Sequence, residues 1–320
     1  MAEFSIIEEF CHGIGPDHAD TKLGVGDDAA VISVPAAMEL AISTDTMVSG
    51  VHFFADVSPQ KLAQKILAVN LSDMAAMGAE PKWATIALTI AELDTDWLQA
   101  FTDSLRAMAN RFKLQIIGGD TTQGPLNIGI TIIGLLSKGQ ALCRSGARLG
   151  DDVYVSHYVG DAALGLAVML DQVSLSQANR ELTVAALETP EPRVALGRSL
   201  LGVANSCLDI SDGLIGDLGH ICKQSRVSIN IDAGLVPVST AYREYMANGG
   251  SLDLALNGGD DYELAFTASA SQRANIANIA AQQGILLSRV GLVVSQQEHA
   301  VSVSLSGQDY ILSPSFEHFS

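Results

Sequence analysis

Nine aspartates lie in short apolar or glycine-rich segments, and their type and setting could do chemistry. The segments VGDDAAV, AISTDTMV, NLSDMAAMG, IIGGDTT, LDISDGL and NGGDDYELAF contain Asp27, Asp28, Asp45, Asp73, Asp120, Asp209, Asp212, Asp260 and Asp261. A carboxylate flanked by apolar strand residues lies near desolvated surface, where an unpaired charge is costly. The chain has 36 Asp+Glu and only 18 Lys+Arg, so basic side chains cannot pair every acid. Bound divalent cations are the simplest source of the missing positive charge.

Oxygen ligands select hard cations, and Mg²⁺ is typically held through a few carboxylates together with substrate phosphates. A calcium loop is excluded: DISDG at 209–213 begins like one, but the position that needs a closing Glu is His220. Each Gly–Asp pair alone is typical of a turn. Their number favours a metal site that serves a phosphate substrate.

Two common phosphate-binding motifs are absent from the sequence, GxxxxGK[ST] and GxGxxG after a strand, which argues against a P-loop enzyme or a Rossmann dehydrogenase. We expect Gly118 and Gly119 to form a turn after the strand LQII, with backbone N–H groups facing phosphate oxygens beside Asp120. Arg144 could clamp a phosphate, although a surface arginine without a role is the commoner case. His52 could reach a phosphate or a ring, or be structural. Acyl transfer has no support, because neither a GxSxG elbow nor a Ser-His-Asp order occurs.

Composition predicts a folded, unexported protein. The chain has 320 residues, 48% of them hydrophobic, and a net charge of −18, which argues against binding nucleic-acid phosphates. Cys11, Cys143, Cys207 and Cys222 form no CxxC pair, so we expect neither a zinc site nor disulfides and place the protein in the cytoplasm. MAEFSIIEEF has acids where a signal peptide has bases, and no apolar run is long enough to span a membrane.

The apolar pattern predicts two halves of the α/β (α+β) class, with a boundary near residue 145 in the polar stretch CRSGARLGDD. In the first half we expect strands at 38–43, 83–90, 114–117 and 127–136, and helices at 59–78 and 95–112. Thr95 is the expected N-cap of the second helix. In the second half we expect a strand at 153–156 and helices at 161–171, 178–187, 192–204 and 214–225.

Seven segments, in this order, resemble the motifs of thiamine-monophosphate kinases, in the aminoimidazole ribonucleotide synthetase-like superfamily. They are GVGDDAAV (24–31), AISTDTMVSGVHF (41–53), AVNLSDMAAMGAEP (68–81), IIGGDTTQGPL (116–126), RSGARLGD (144–151), LDISDGLIGDLGHI (208–221) and NGGDDYELAF (257–266). The resemblance covers the whole chain. It implies transfer of the ATP γ-phosphoryl group to thiamine monophosphate, giving thiamine diphosphate and ADP.

The resemblance also implies roles for individual residues. Several Mg²⁺ ions would be held by Asp28, Ser43, Thr44, Asp45, Asp73, Asp120, Asp209 and Asp212. ATP would contact Gly119, Asp120, Arg144 and Ser211. The thiamine phosphate would meet His52, Asp260 and Phe316, the last packing on the thiamine rings. Asp260 stands where the family often has Glu, and Phe319 is an alternative to Phe316.

The acceptor in this reaction is a phosphate, so no general base is expected, and Asp45, Asp120 and Asp212 are predicted to be the most critical ligands. The resemblance implies a two-domain fold. Residues 1–145 would be the ATP- and metal-binding and dimerisation domain, whose sheet forms a barrel across a homodimer. Residues 146–320 would form an α/β sandwich.

Other readings remain open. Aminoimidazole ribonucleotide synthetase, selenophosphate synthetase and the hydrogenase-maturation dehydratase share the ATP and metal chemistry. A selenophosphate synthetase has a reactive Cys with a Lys near the amino end, whereas Cys11 lies in EFCHGIG; the maturation protein ends in Cys, and this chain ends in HFS. From another class, the chain could be a non-catalytic acidic metal-binding scaffold.

Overall fold

The structure is a computed structural model that describes residue 10 and residues 12–311. The chain divides into two compact units. The first extends to Met74 and continues from Ala79 to Ala141, and the second contains Ala75–Gly78 and the chain from Leu142 onward. The main division therefore falls between residues 141 and 142, directly before the polar stretch CRSGARLGDD at 143–152.

The first unit is built on a four-stranded sheet with the spatial order β3–β6–β4–β5. Its elements are β1 (Thr21–Leu23), β2 (Val31–Ile32), β3 (Met38–Val48), α1 (Pro59–Met77), β4 (Glu80–Ile90), α2 (Thr95–Phe112), β5 (Gln115–Gln123) and β6 (Asn127–Ser137). Strand β6 pairs antiparallel with β3 and β4, whereas β4 and β5 are parallel and are joined through α2. Strands β1 and β2 form a separate hairpin.

The sheet of the first unit has a buried face and an accessible face. On β6, Ile128, Ile130 and Ile132 are fully buried, and Gly129 and Thr131 between them are partly exposed. This period of two is the pattern of a strand with one covered face. The helices bury Leu62, Ile66, Leu71, Leu98, Phe101 and Leu105. The predicted apolar stripe of α2 is therefore confirmed as a packed face.

Two strands run further than predicted. The apolar residues end near Ser43 and Ile117, but β3 continues to Val48 and β5 to Gln123. Pairing holds these polar and glycine-containing extensions, because Asp45 pairs with Ile130 and β5 stays in register with β4. Strand length here was decided by the neighbouring strands, which local composition does not record.

Helix α2 starts at Thr95 as predicted, but the prediction that Thr95 is its N-cap was wrong. Asp94 is the N-cap, and its Oδ1 accepts the backbone N–H groups of Asp96 and Trp97, both at 3.0 Å. A carboxylate at this position satisfies two backbone donors that the helix cannot and lies at the positive end of the helix dipole.

The second unit is built on a seven-stranded sheet with the spatial order β13–β12–β9–β11–β7–β10–β8. Its strands are β7 (Asp152–Ser156), β8 (Ser206–Asp209), β9 (Ser228–Asp232), β10 (Leu264–Ala268), β11 (Leu287–Val294), β12 (Val301–Leu305) and β13 (Gln308–Asp309). Its helices are α3 (Asp161–Met169), α4 (Gln177–Glu188), α5 (Val194–Ser199), α6 (Leu214–Ser225), α7 (Thr240–Ala247), α8 (Asp253–Asn257) and α9 (Arg273–Gln283). Among the strands described in this unit, β9 and β12 are the one parallel pair.

Most elements predicted for the second half are confirmed, including the helix at 214–225. The helix predicted over 192–204 is shorter, because the chain turns after Leu200 and Gly202 has a left-handed φ of 74°. Both units mix helices and strands, which confirms the predicted fold class. Within residues 12–311, no helix has both the length and the hydropathy of a membrane span.

Cys143, Cys207 and Cys222 are free thiols, and Cys11 lies outside the described residues. Cys143 is exposed, and Cys207 and Cys222 are buried. Burial raises the pKa of the Cys207 thiol well above its ordinary value and that of Cys222 to about 11. The two buried thiols therefore stay protonated near neutral pH and fill core space.

The N-cap correction can be tested by substitution. Asp94→Ala is expected to lower the free energy of unfolding by about 1 kcal/mol, because two helix N–H groups lose their acceptor. Thr95→Ala is the matched control and is expected to change it by less than about 0.5 kcal/mol. Urea unfolding followed by circular dichroism measures both. A larger loss for Thr95→Ala would restore Thr95 as the cap.

Candidate active site

Strand β3 and helix α1 bring predicted metal ligands to the covered face of the first sheet. Ser43 pairs with Ile132 and Asp45 with Ile130, two fully buried residues of that face. The Ser43 hydroxyl donates to Oδ2 of Asp73, on α1, at 2.5 Å. Ser43 therefore lies against Asp73, and Asp45 lies two residues further along the same face. These three residues are partly buried.

Thr44 and Asp120 lie on the accessible face of the same sheet. Thr44 Oγ1 lies 2.8 Å from Oγ1 of Thr131 on β6. Asp120 pairs with Ala87, which in turn pairs with Gly129. Because paired residues point to the same side of a sheet, Asp120 shares the face of Gly129 and Thr131.

The strand register keeps Asp45 and Asp120 apart within one subunit. Asp45 is on β3 and Asp120 on β5, the two edge strands of the sheet. Two strands lie between them, so the edges are roughly 14 Å apart, three spacings of about 4.8 Å. Mg²⁺ binds oxygen at about 2.1 Å. One ion cannot therefore bind both carboxylates within this unit.

Gly118 and Gly119 do not form the predicted turn, because β5 continues through them to Gln123. Gly119 pairs with Ile86, and a Cβ added to Gly119 would lie 2.0 Å from the Ile86 carbonyl oxygen. Only glycine fits this approach. An edge strand still directs backbone N–H groups away from its neighbour, so this segment keeps the capacity to face phosphate oxygens.

Asp28 lies in the loop of the β1–β2 hairpin, and His52 lies in the segment after β3. Asp28 is exposed in the loop between β1 and β2, where its N–H donates to Asp27 Oδ1 at 2.9 Å. His52 follows β3, and its Nδ1 accepts the Val48 N–H at 3.0 Å. The neutral ring therefore carries its proton on Nε2, a donor suited to a phosphate oxygen.

In the second unit, Asp217 holds the loop that carries Ser211 and Asp212. Its Oδ2 accepts the N–H groups of Ser211, Asp212 and Gly213 at 3.0, 3.0 and 3.1 Å. Asp217 is buried, and this burial raises the pKa of its carboxyl to about 6 despite the three hydrogen bonds. No role was predicted for Asp217 from the sequence. Its position in the first turn of α6, directly after an acidic loop, is the signal that could have identified it, because such a side chain can accept the N–H groups at the start of the helix.

A second acidic loop, residues 257–263, packs directly on this one. The Asp260 N–H donates to the Ser211 carbonyl at 2.9 Å. A Cβ on Gly259 would lie 2.4 Å from the same carbonyl oxygen, and Gly213, with φ 121°, would place a Cβ 2.7 Å from the Asn257 backbone. The second unit therefore brings Asp260 together with Ser211, the neighbour of Asp212.

Arg144 lies at the other end of β8. The Cys143 carbonyl accepts the Cys207 N–H at 2.9 Å, which places Arg144 beside the beginning of the strand, whereas Ser211 follows its end. Arg144 is exposed, and its carbonyl accepts the Ser225 hydroxyl at 3.2 Å. A single ligand would have to extend along β8, about 13 Å, to touch both Arg144 and Ser211. Phe316 and Phe319 lie outside the described residues.

The oxygen donors of both units fit Mg²⁺ bound to a phosphate ligand. Among the residues that the structure describes, no three His, Cys, Asp or Glu side chains form a metal-binding group of their own. Mg²⁺ commonly takes one or two protein carboxylates and completes its shell with water and phosphate oxygens. The Ser43–Asp73 pair, and Asp209 with Asp212, suit that kind of coordination better than a cage made by protein alone.

Residues 26–136 match the family described as AIR synthase related protein, N-terminal domain. This range contains every predicted ligand of the first unit. The thiamine-monophosphate kinase of Salmonella typhimurium is 43% identical over 290 residues, which cover 90% of this chain and 89% of that protein. The chain therefore belongs to the thiamine-monophosphate kinase family, and the family predicted from the sequence is confirmed.

Solved structures agree with this assignment. The crystal structure of thiamine-monophosphate kinase from Stenotrophomonas maltophilia K279a is similar with a TM-score of 0.86 and 40% identity, covering 97% of this chain and 98% of that one. A structure of AaThiL complexed with AMPPCP and TMP has a TM-score of 0.78 and 26% identity, covering 99% and 95%. These neighbours confirm the predicted aminoimidazole ribonucleotide synthetase-like fold.

The support given by Asp217 predicts a local change in backbone protection. Asp217→Ala removes the acceptor of three N–H groups, and we expect the amides of residues 211–213 to exchange with solvent at least about 30-fold faster, equivalent to about 2 kcal/mol. Hydrogen exchange with mass spectrometry measures this. Asp232→Ala, which removes a single 3.0 Å bond to the Gly234 N–H, is the control and should leave this segment unchanged. Unaltered exchange in Asp217→Ala would show that other contacts hold the loop.

Proposed function

We propose that this protein transfers the γ-phosphoryl group of ATP to thiamine monophosphate, giving thiamine diphosphate and ADP. Its relatives with 32–43% identity are thiamine-monophosphate kinases, and the similar AaThiL structure was solved with AMPPCP and TMP. The observation that carries the proposal in this chain is the 2.9 Å hydrogen bond from Asp260 to Ser211. It joins the segment that carries Asp209, at the end of β8, and Asp212 to the loop proposed to meet the acceptor.

The acceptor explains why the site needs acids and metal rather than a general base. A phosphate monoester is largely dianionic near neutral pH, so its oxygen is a nucleophile without losing a proton. The obstacle is repulsion between two polyanions. Two unit charges about 4 Å apart repel by roughly 4 kcal/mol at an effective dielectric constant of about 20. Positioning and neutralisation of charge are therefore what the site must supply.

The proposed metal ligands are the oxygen-bearing side chains of both units. They are Asp28, Ser43, Thr44, Asp45, Asp73, Asp120, Asp209 and Asp212. Within each unit, Mg²⁺ held by these ligands would neutralise phosphate charge. The chain's own contribution is to fix these carboxylates in place, as the Ser43–Asp73 hydrogen bond does.

The remaining proposed contacts orient the two substrates. Gly119 would offer its backbone to ATP, Ser211 would contact it, and Arg144 would bind a phosphate through two parallel N–H groups. His52 would donate its Nε2 proton to the acceptor phosphate. Asp260 would face the positive charge of the thiamine moiety, and Phe316 would pack on its rings.

We also propose a homodimer formed through the accessible face and edges of the first sheet. Ile42 and Leu40 on this face are 61% and 37% exposed, which is apolar surface that a second copy would cover. Closing two four-stranded sheets into one barrel removes all four edges. If the closure pairs β5 of one subunit with β3 of its partner, Asp120 would lie on the strand next to Asp45 of the partner subunit, on the opposite face of the barrel wall. A single strand spacing would then replace the separation of roughly 14 Å within one subunit.

The alternatives are less well supported. The other synthetases of the superfamily do not account for 43% identity to a thiamine-monophosphate kinase along 90% of the chain. A non-catalytic metal-binding scaffold does not account for two acidic loops joined backbone to backbone. The free thiols and the net charge of −18 support a cytoplasmic enzyme that binds ATP and thiamine monophosphate rather than nucleic acid.

A direct assay tests the proposed reaction. The purified chain, incubated with ATP, Mg²⁺ and thiamine monophosphate, is expected to form thiamine diphosphate, detected by mass spectrometry. EDTA should abolish product, and excess Mg²⁺ should restore it, because the carboxylates alone only add to the repulsion. Unphosphorylated thiamine is the control substrate. Absence of product, together with calorimetric metal binding that ATP does not alter, would favour the scaffold.

Subunit complementation tests whether Asp120 acts together with Asp45 of the partner subunit. Asp45→Asn and Asp120→Asn should each lower kcat/KM by at least about 100-fold, because a ligand charge is lost. Mixing the two variants after subunit exchange should restore about a quarter of wild-type activity, since half of the dimers would each contain one intact site.

The matched control for complementation is Asp103→Asn, which removes an exposed acid of α2 that pairs with Arg106 at 3.0 Å and should retain near-wild-type activity. If the mixed dimers stay inactive, Asp45 and Asp120 of one subunit act together, or each acts elsewhere. Near-normal turnover of Asp45→Asn alone would remove Asp45 from the site.

A further inference from the structure

The side chain of Asp260 is held by its neighbour Tyr262. The Tyr262 hydroxyl donates to Asp260 Oδ1 at 3.0 Å. Tyr262 is only 6% exposed, so its ring is fixed by the core around it. We propose that Tyr262 is a positioning residue that orients the Asp260 carboxylate toward the positive charge of the acceptor. This inference rests on the proposed function, which gives Asp260 its contact with the acceptor.

The backbone of this segment is unusual and is fixed independently of the hydroxyl. Asp260 and Tyr262 both have left-handed φ angles, 69° and 50°. Such angles are costly in residues other than glycine and persist only where the surroundings impose them. Here the Asp260 and Tyr262 N–H groups donate to the carbonyls of Ser211 and Ile210 at 2.9 and 2.8 Å.

Asp261, between these two residues, adds a further anchor. Its two carboxylate oxygens accept the Gly160 N–H at 2.9 and 2.8 Å, which ties the loop to the start of α3. The loop therefore has two backbone–backbone anchors and one through the Asp261 side chain, and none of them involves the tyrosine hydroxyl. Removing that hydroxyl takes one hydrogen bond from the carboxylate of Asp260 while leaving the path of the chain in place.

The hydroxyl bond matters for binding more than for the transfer step. A hydrogen bond to a carboxylate is stronger than one between neutral groups, and it restricts the side-chain torsions of Asp260 before the acceptor arrives. A pre-ordered carboxylate avoids the entropy cost of ordering on binding. The positive charge that Asp260 would face lies in the thiamine moiety, away from the phosphate that reacts. The contact would therefore contribute the same binding free energy in the ground state and in the transition state. Its loss then raises KM without lowering kcat.

Steady-state kinetics of Tyr262→Phe test the inference. We expect KM for thiamine monophosphate to rise about three- to ten-fold, while kcat and KM for ATP change by less than about two-fold. Calorimetric titration with thiamine monophosphate should show the same loss of affinity. An unchanged KM for thiamine monophosphate, or a fall in kcat by as large a factor as the rise in KM, would overturn the positioning role.

Tyr310→Phe is the matched control. The Tyr310 hydroxyl donates to Asp253 Oδ1, also at 3.0 Å, so the variant loses the same kind of bond in the same unit. It should lower the melting temperature about as much as Tyr262→Phe and leave KM unchanged. An equal rise of KM in both variants would mark the effect as general loosening and overturn the inference.

A double variant separates this inference from the function on which it rests. Adding Tyr262→Phe to Asp260→Asn should change KM by no more than about two-fold, because the tyrosine acts through the carboxylate. If Asp260→Asn alone leaves KM for thiamine monophosphate unchanged, the proposed contact of Asp260 is wrong and the inference falls with it. If Asp260→Asn raises KM and Tyr262→Phe does not, the contact stands and only the role of Tyr262 is refuted.

Discussion

The repulsion between carboxylates in one small region is the constraint on which the proposed site depends. Acids that bind cations must lie close together, yet without the cation they repel each other and favour protonation. In the second unit, hydrogen bonds to the backbone hold the acidic loop in place, because Asp217 accepts the three N–H groups of residues 211–213. Gly213 and Gly259 let the two loops approach to distances that a Cβ would prevent. The fold thus opposes the repulsion before any ion or substrate binds.

The loop of residues 257–263 contains two desolvated carboxylates, Asp261 and Glu263, and each has hydrogen-bond partners. The Glu263 carboxylate accepts hydrogen bonds from Nε and Nη2 of Arg193, at 2.8 and 2.5 Å, and from the hydroxyl of Ser156. Burial raises the pKa of Glu263 and raises that of Asp261 well above its ordinary range, while Arg193 and the Gly160 N–H act in the opposite direction. Removing one partner from such a pair leaves a buried charge uncompensated, which is strongly destabilising. The desolvated carboxylates of this loop therefore hold it against rearrangement.

The sequence predicted the family and the local structure better than the geometry around the candidate site. Seven ordered motifs identified the family, and the apolar pattern predicted most helices. The metal ligands predicted from oxygen donors and the shortage of basic residues stay predictions. The sequence also predicted a turn at Gly118 and Gly119, where pairing with β4 instead continues the strand. No role was predicted for Asp217 or Tyr262. Those two residues act through a hydrogen bond to a neighbour, a property that no spacing along the chain encodes.

The sequence by itself determined where most helices and strands lie, because apolar periodicity and turn residues are local. It also determined that acidic side chains outnumber the basic side chains that could pair with them. Only the tertiary structure decided which of those ligands meet. Strand register sets Asp45 and Asp120 on opposite edges of one sheet, and two glycine contacts bring Asp260 to Ser211. Proximity between residues far apart in the chain depends on pairing and packing, and these follow from the whole fold.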